Sequence, residues 1–236
     1  MAWSGAVAAL TLFLLTGAAA ADAVITHAAL VEPTTRYDHG VLGDAVEWAA
    51  LEIELADGQR RRLRLPETSV FEDVEARLAD LDQDGRPEVV VVETDMARGA
   101  MLAVYDANGR RAATRPVGQR HRWLAPAGIG DLDGDGRVEI AYVDRPHLAR
   151  QLVIVRLEGD RLVEIARQSS VTNHRIGDAR IAGGIRDCGD GAELVALTPD
   201  WTTILIVTLQ QDGRLAPRAN GPNSPSRLAQ VMACAS

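Results

Sequence analysis

One nine-residue acidic pattern occurs twice in this chain, almost letter for letter. Asp80-Leu81-Asp82-Gln83-Asp84-Gly85-Arg86-Pro87-Glu88 runs into the apolar stretch Val89–Val92, and Asp131-Leu132-Asp133-Gly134-Asp135-Gly136-Arg137-Val138-Glu139 runs into Ile140–Val143. A repeat at a fixed period of about 50 residues is the mark of an architecture built from stacked units. Carboxylates at alternate positions, then a glycine and a closing glutamate, form an oxygen cage for a hard cation. Fold and metal are therefore read from the same residues.

The predicted cage takes the side chains of Asp80, Asp82, Asp84 and Glu88 in the first copy, and Asp131, Asp133, Asp135 and Glu139 in the second. The carbonyls of Arg86 and Arg137 supply a backbone oxygen. Gly85 and Gly136 permit the sharp turn. About six oxygens at flexible distances suit Ca²⁺ better than Mg²⁺, which demands a tighter octahedron. The EF-hand is excluded by spacing, since its twelfth position falls on Val91 in one copy and Tyr142 in the other. A solvated acidic turn is the plainer alternative, because Asp and Gly favour turns. Two copies in one register argue against it, as does the mutual repulsion of four carboxylates.

The segments after each loop are short and β-branched, which predicts strands. The first full unit reads as strands over Glu88–Glu93, Met101–Tyr105 and Arg111–Arg115. The second reads as Glu139–Val143, Leu152–Leu157 and Leu162–Arg167. Turns fall at Asn108-Gly109 and Glu158-Gly159, both hairpin signals. A degraded third copy starts at Asp187, with Cys188 in its loop and Glu193 before strand Leu194–Leu197; it is expected to hold little or no metal. Upstream, Val46–Leu55 and Arg61–Leu65 form a unit whose leading stretch Arg36-Tyr37-Asp38-His39-Gly40 stands where the acidic loop would be. The expected fold is all-β, a small β-propeller of about four blades, with units near 22–75, 76–126, 127–180 and 181–218. The tail, 219–236, looks irregular over Ala219–Arg227.

The acidic loop before an apolar strand, repeated at this period, resembles the FG-GAP/VCBS repeats of integrin-α-type propellers. Trp123-Leu124-Ala125-Pro126-Ala127-Gly128 and Ala141-Tyr142-Val143-Asp144-Arg145-Pro146-His147 resemble secreted bacterial proteins of that repeat family. The resemblance spans Ala79–Arg167 most closely. It implies calcium in inter-strand loops and a role in structure or binding. Propellers of that family commonly have seven blades, so a chain of about four leaves three options: a small ring, an open arc, or a ring completed by another copy.

Residues Ala2 to Ala20 carry no charge, and Ala18–Ala21 offer small residues for cleavage. This predicts a signal peptide over residues 1–21 and a periplasmic or secreted protein. In an oxidising compartment the two cysteines, Cys188 and Cys234, are expected to pair. The net charge of −8 argues against nucleic acid and anionic membrane as partners. No later segment reaches membrane-spanning length.

No nucleophile elbow, zinc-protease motif or phosphate-cradling loop is present. Two groups remain as candidate ligand contacts: Arg36, Tyr37, Asp38 and His39 in the unit without an acidic loop, and the repeated pairs His121/Arg122 and His174/Arg175. Packing is the plainer reading of each. The favoured function is a calcium-stabilised module that binds a protein or glycan partner. Alternatives are a hydrolase or sugar-processing enzyme with its site at the channel mouth, and a structural domain of an envelope assembly.

Overall fold

The structure is a computed structural model that describes Met1 and residues 23–235. The predicted signal peptide, apart from Met1, lies outside the described residues. Sixteen strands and one helix follow in order among those residues. The first five strands are β1 (Ile25–Thr34), β2 (Glu47–Leu55), β3 (Arg60–Arg64), β4 (Ser69–Phe71) and β5 (Arg77–Ala79). The first acidic loop leads into β6 (Glu88–Asp95), β7 (Gly99–Asp106) and β8 (Gly109–Ala113). Next come β9 (Leu124–Gly130), β10 (Glu139–Asp144), β11 (Gln151–Glu158) and β12 (Arg161–Ser169). The last group is β13 (Gly184–Asp187), β14 (Ala192–Leu197), β15 (Thr203–Leu209), β16 (Leu215–Pro222) and helix α1 (Pro225–Met232).

The pairing is antiparallel throughout. Strands β9 to β12 and β13 to β16 make two four-stranded meanders. The three apolar runs singled out in the sequence, in β6, β10 and β14, each take the second place in their meander. All three are hydrophobic on both faces because both faces are covered, by a sheet on each side for β6 and β10 and by a sheet and the C-terminal helix for β14. Val89 and Val91 of β6 belong to one core with Leu51 and Ile53 of β2, whereas Val90 and Val92 belong to another with Leu152 and Ile154 of β11. Each such fully buried side chain contributes roughly 1.5–3 kcal/mol.

Three sheets form where four units were expected. The N-terminal strands join the first acidic unit in one eight-stranded sheet, because β4 pairs with β2 at Trp48–Phe71 and with β6 at Ser69–Asp95. Strands β4 and β5 share one edge of β6, separated by a bulge. There the Asp73 carboxylate replaces a backbone carbonyl and accepts from the Val92 N–H at 2.8 Å.

No closed propeller forms among the described residues, since both end faces of the stack are covered by other means. On the outer face of β1, β2 and β3, Glu32, Glu52 and Glu54 alternate with Arg60, Arg62 and Arg64 in ion pairs. Such exposed pairs add little stability, but they give the end unit the polar face that a terminal repeat needs. At the other end α1 lays Leu228, Val231 and Met232 on Val195, Leu197, Ile204 and Ile206. This corrects the reading of the tail as irregular. Ser224 caps the helix by accepting from the Arg227 N–H, with Pro225 in the first turn, a start signal legible in the sequence. The Cys188–Cys234 disulfide, with Cα atoms 5.5 Å apart, ties the end of α1 to the last sheet.

Candidate metal centres

Both acidic loops sit at the same rim, between the first and second strands of their units. In each, the turn is set by the leading aspartate. Asp80 accepts from the backbone N–H groups of Asp84 and Gly85, and Asp131 from those of Gly134 and Gly136. Gly85 and Gly136 have φ of +86° and +85°, the left-handed region that a Cβ resists. The closing glutamate is aimed inward by one Oε2 acceptor bond, from Leu81 N–H to Glu88 at 3.0 Å and from Leu132 N–H to Glu139 at 2.9 Å.

The result is two acidic triads, Asp80/Asp82/Glu88 and Asp131/Asp133/Glu139, each with ligand oxygens within 4.8 Å of one another. Asp84 and Asp135 stand outside these triads. Each is gripped by the arginine two residues on, Arg86 or Arg137, through both backbone and guanidinium. These bonds hold both carboxyls below their ordinary range. Burial pushes Glu88 and Glu139 upward instead, against the pull of their hydrogen bonds.

Two arginines that the motif does not contain reach into the cages. Arg111 of β8 contacts Asp82 and Glu88, both at 2.7 Å, and Asp160 at 3.2 Å. Arg156 of β11, paired across the ladder with Glu139, contacts Glu139, Asp135 at 3.1 Å and Asp133 at 3.5 Å. Arg156 is the more consequential, with its side chain 6% exposed against 0% for Glu139. Its sequence signal is an arginine inside the apolar run Leu152–Leu157, a charge that needs a buried partner. The loops also touch directly, since Gln83 Nε2 donates to the Gly136 carbonyl at 2.5 Å. The donor set is all carboxylate oxygen on a preset turn, which fits a hard divalent cation.

The third loop keeps the turn but not the cage. Asp187 accepts from the N–H groups of Gly189 and Gly191, so it acts as Asp131 does. Strand register agrees: Arg186 faces Glu193 as Gly130 faces Glu139. Asp187 therefore corresponds to Asp131, in a loop two residues shorter. Arg186 and Arg218 hold the Glu193 carboxylate at 2.6 and 2.8 Å.

At the opposite rim the β1–β2 connection folds across the neighbouring sheets. The buried Tyr37 hydroxyl accepts from the His121 N–H at 2.9 Å, and Val41 accepts from Gly177 N–H at 3.0 Å. Asp38 pairs with Arg120 and His121, while His39 bonds to buried Glu72 and stacks on His121 at 5.1 Å. Arg36 donates to the carbonyls of Ser69 and Pro66. The two candidate groups thus meet in part, through His121. The paired residues His121 and His174 are not equivalent, however. His174 is buried against the Trp123 ring; Arg122 donates to the His121 carbonyl and Arg175 stacks on Trp201 at 4.2 Å.

Sequence reasoning missed two acids here, Glu72 and Glu47. Glu47 is 2% exposed, its Oε2 has no partner, and its pKa is pushed up to about 9 by burial first, then by Glu72, Asp44 and Asp73. No motif announces either residue; only the packing of β2 against the β4–β5 bulge makes them neighbours.

No curated protein matches the chain. The segment that holds both acidic loops and the strands between them, residues 80–142, matches the FG-GAP-like repeat family.

Proposed function

We propose that this chain is an exported binding module whose stacked sheets are stabilised by Ca²⁺ in the two acidic loops. The observation that carries this is the pair of triads, Asp80/Asp82/Glu88 and Asp131/Asp133/Glu139, built alike at the same rim. Their oxygen chemistry and flexible spacing favour calcium over the smaller, more rigid magnesium. The Cys188–Cys234 disulfide supports an oxidising compartment outside the cytoplasm. Among the described residues no helix is long and apolar enough to cross a membrane. Within this reading Asp80, Asp82, Glu88, Asp131, Asp133 and Glu139 are the side-chain ligands. Arg111 and Arg156 neutralise the cages when the cation is away.

Thermal unfolding of calcium-loaded protein with and without EDTA tests the proposal. A ligand at 100 times its dissociation constant adds about 2.7 kcal/mol per site. Chelation should lower the Tm, and Asp82→Ala with Asp133→Ala should abolish the response. An unchanged Tm on chelating protein that demonstrably carried calcium refutes the assignment.

A further inference from the structure

We propose that the rim opposite the acidic loops docks on an anionic phospholipid surface, with Leu148 and Ile176 entering the headgroup layer and arginines meeting the lipid phosphates. Antiparallel meanders send alternate connections to opposite rims. At the acidic-loop rim, residues 56–59, 80–87, 107–108, 131–138, 159–160, 188–191 and 210–214 hold ten carboxylates against three arginines. At the other rim, residues 35–46, 65–68, 96–98, 114–123, 145–150, 170–183 and 198–202 hold nine arginines against five carboxylates. A chain of net charge −8 thus has one cationic end. The expectation against an anionic membrane, drawn from net charge, does not apply to that face, because the local field steers association.

The same rim carries the apolar tips. Apart from Met1, the two most exposed large apolar side chains among the described residues are Ile176, 71% exposed, and Leu148, 60% exposed. Both stand on preset turns. The Arg145 carbonyl accepts from the N–H groups of Leu148 at 2.8 Å and Arg150 at 3.1 Å, which pushes Leu148 outward from the β10–β11 connection. In the β12–β13 connection the Asp178 N–H donates to the Arg175 carbonyl at 3.1 Å, and Gly177 follows Ile176 at φ +91°, so Ile176 takes the corner. The two connections touch: Thr172 Oγ1 donates to the Pro146 carbonyl at 2.9 Å, and ring nitrogens of His147 and His174 lie 3.2 Å apart. Single exposed apolar residues are ordinary on a surface. Two at the tips of adjoining turns, among arginines, mark a contact face.

Charge is available where the tips are. Arg150 and Arg180, on these two connections, and Arg115 on the β8–β9 connection make no side-chain hydrogen bond or ion pair among the described residues. Arg175, beside Ile176, stacks on Trp201 and keeps its charge. Guanidinium groups match phosphate oxygens in pairs, and a basic face with protruding apolar side chains lies in the interface of an anionic bilayer. A polyanionic glycan would satisfy the arginines but offer the aliphatic tips nothing, which decides for lipid. The inference names a partner for the binding module proposed above and needs no cation in the acidic loops.

The test is cosedimentation of the calcium-loaded chain with vesicles of phosphatidylcholine and phosphatidylglycerol in equal parts, against vesicles of phosphatidylcholine alone. Binding should be confined to the anionic vesicles and weaken as salt rises. Each basic side chain at an anionic surface is worth about fivefold in affinity, so Arg150→Gln with Arg180→Gln should weaken binding roughly 25-fold. Leu148→Gln with Ile176→Gln should weaken it at least about tenfold. All four positions are solvent-facing, so these variants should fold as wild type does. Asp82→Asn with Asp133→Asn, in protein whose circular dichroism matches wild type, should bind vesicles undiminished, which keeps this test apart from the calcium assignment. No binding to the anionic vesicles, equal binding to neutral ones, or loss of binding in that folded acidic-loop variant overturns the proposal. Binding that falls with the arginines but ignores Leu148 and Ile176 identifies a general polyanion surface and overturns it too.

Discussion

Replacing Arg156 by methionine separates the two cations that the second acidic loop can use. The Arg156 guanidinium, 6% exposed, touches Glu139, Asp135 and Asp133, and Glu139 is fully buried. Methionine keeps most of the stem volume and removes the charge. In metal-free protein this strands the Glu139 carboxylate beside two aspartates. Breaking a buried pair from one side costs about 3–5 kcal/mol, and the part-exposure of Asp135 places this case near the lower figure. With Ca²⁺ in the loop, the divalent ion supplies the missing counter-charge, so the loss should shrink below about 1 kcal/mol. Linkage then fixes a second result. If the change costs about 2 kcal/mol more without calcium than with it, calcium must bind roughly 30-fold more tightly to the variant. Urea unfolding of wild type and Arg156→Met, in EDTA and in saturating calcium, measures the first quantity. Calorimetric titration in an Asp82→Asn background, which isolates the second loop, measures the other. Equal destabilisation in both media, or unchanged calcium affinity, would refute the idea that arginine and calcium compete for one set of carboxylates.

Two further outcomes follow from the geometry. Cys188→Ser should free the end of α1; with the cysteines 46 positions apart, the chain-entropy model gives a loss of about 4 kcal/mol. Exposure of the Val195/Ile204/Ile206 face should raise binding of a hydrophobic dye, and a variant with wild-type stability and no dye response would refute the stapling role. Glu47 titrates near pH 9 in the folded chain against 4.5 ordinarily. The native state thus keeps a proton that the unfolded chain releases. The stabilisation is complete below the unfolded value and fades as pH rises towards the folded one. Glu47→Gln should therefore gain stability relative to wild type between pH 5 and pH 8, on the order of 4 kcal/mol; a pH-independent difference would contradict the buried-acid assignment.

Much of this protein is written in short stretches of chain. The strands β6, β10 and β14, their hairpin partners and both acidic loops depend on contiguous residues: β-branched runs, Asx turns, and glycines at positive φ. Glu88 and Glu139 close cages whose other members lie within eight positions, so spacing alone defined them. The cysteine pairing also followed from compartment and count. Sequence by itself therefore determined the repeat, the sheet order within each unit and the candidate cation loops. Ring closure was decided elsewhere, by which surfaces cover the end sheets. The Glu/Arg ladder on β1, β2 and β3 and the apolar side of α1 do that, and no single repeat carries the information. Arg111 and Arg156, the junction made by β4, the burial of Glu47, and the approach of His147 to His174 all join residues distant in sequence. Their positions follow from how the sheets stack, because buried charge and apolar area are balanced between surfaces that meet only once the chain has folded.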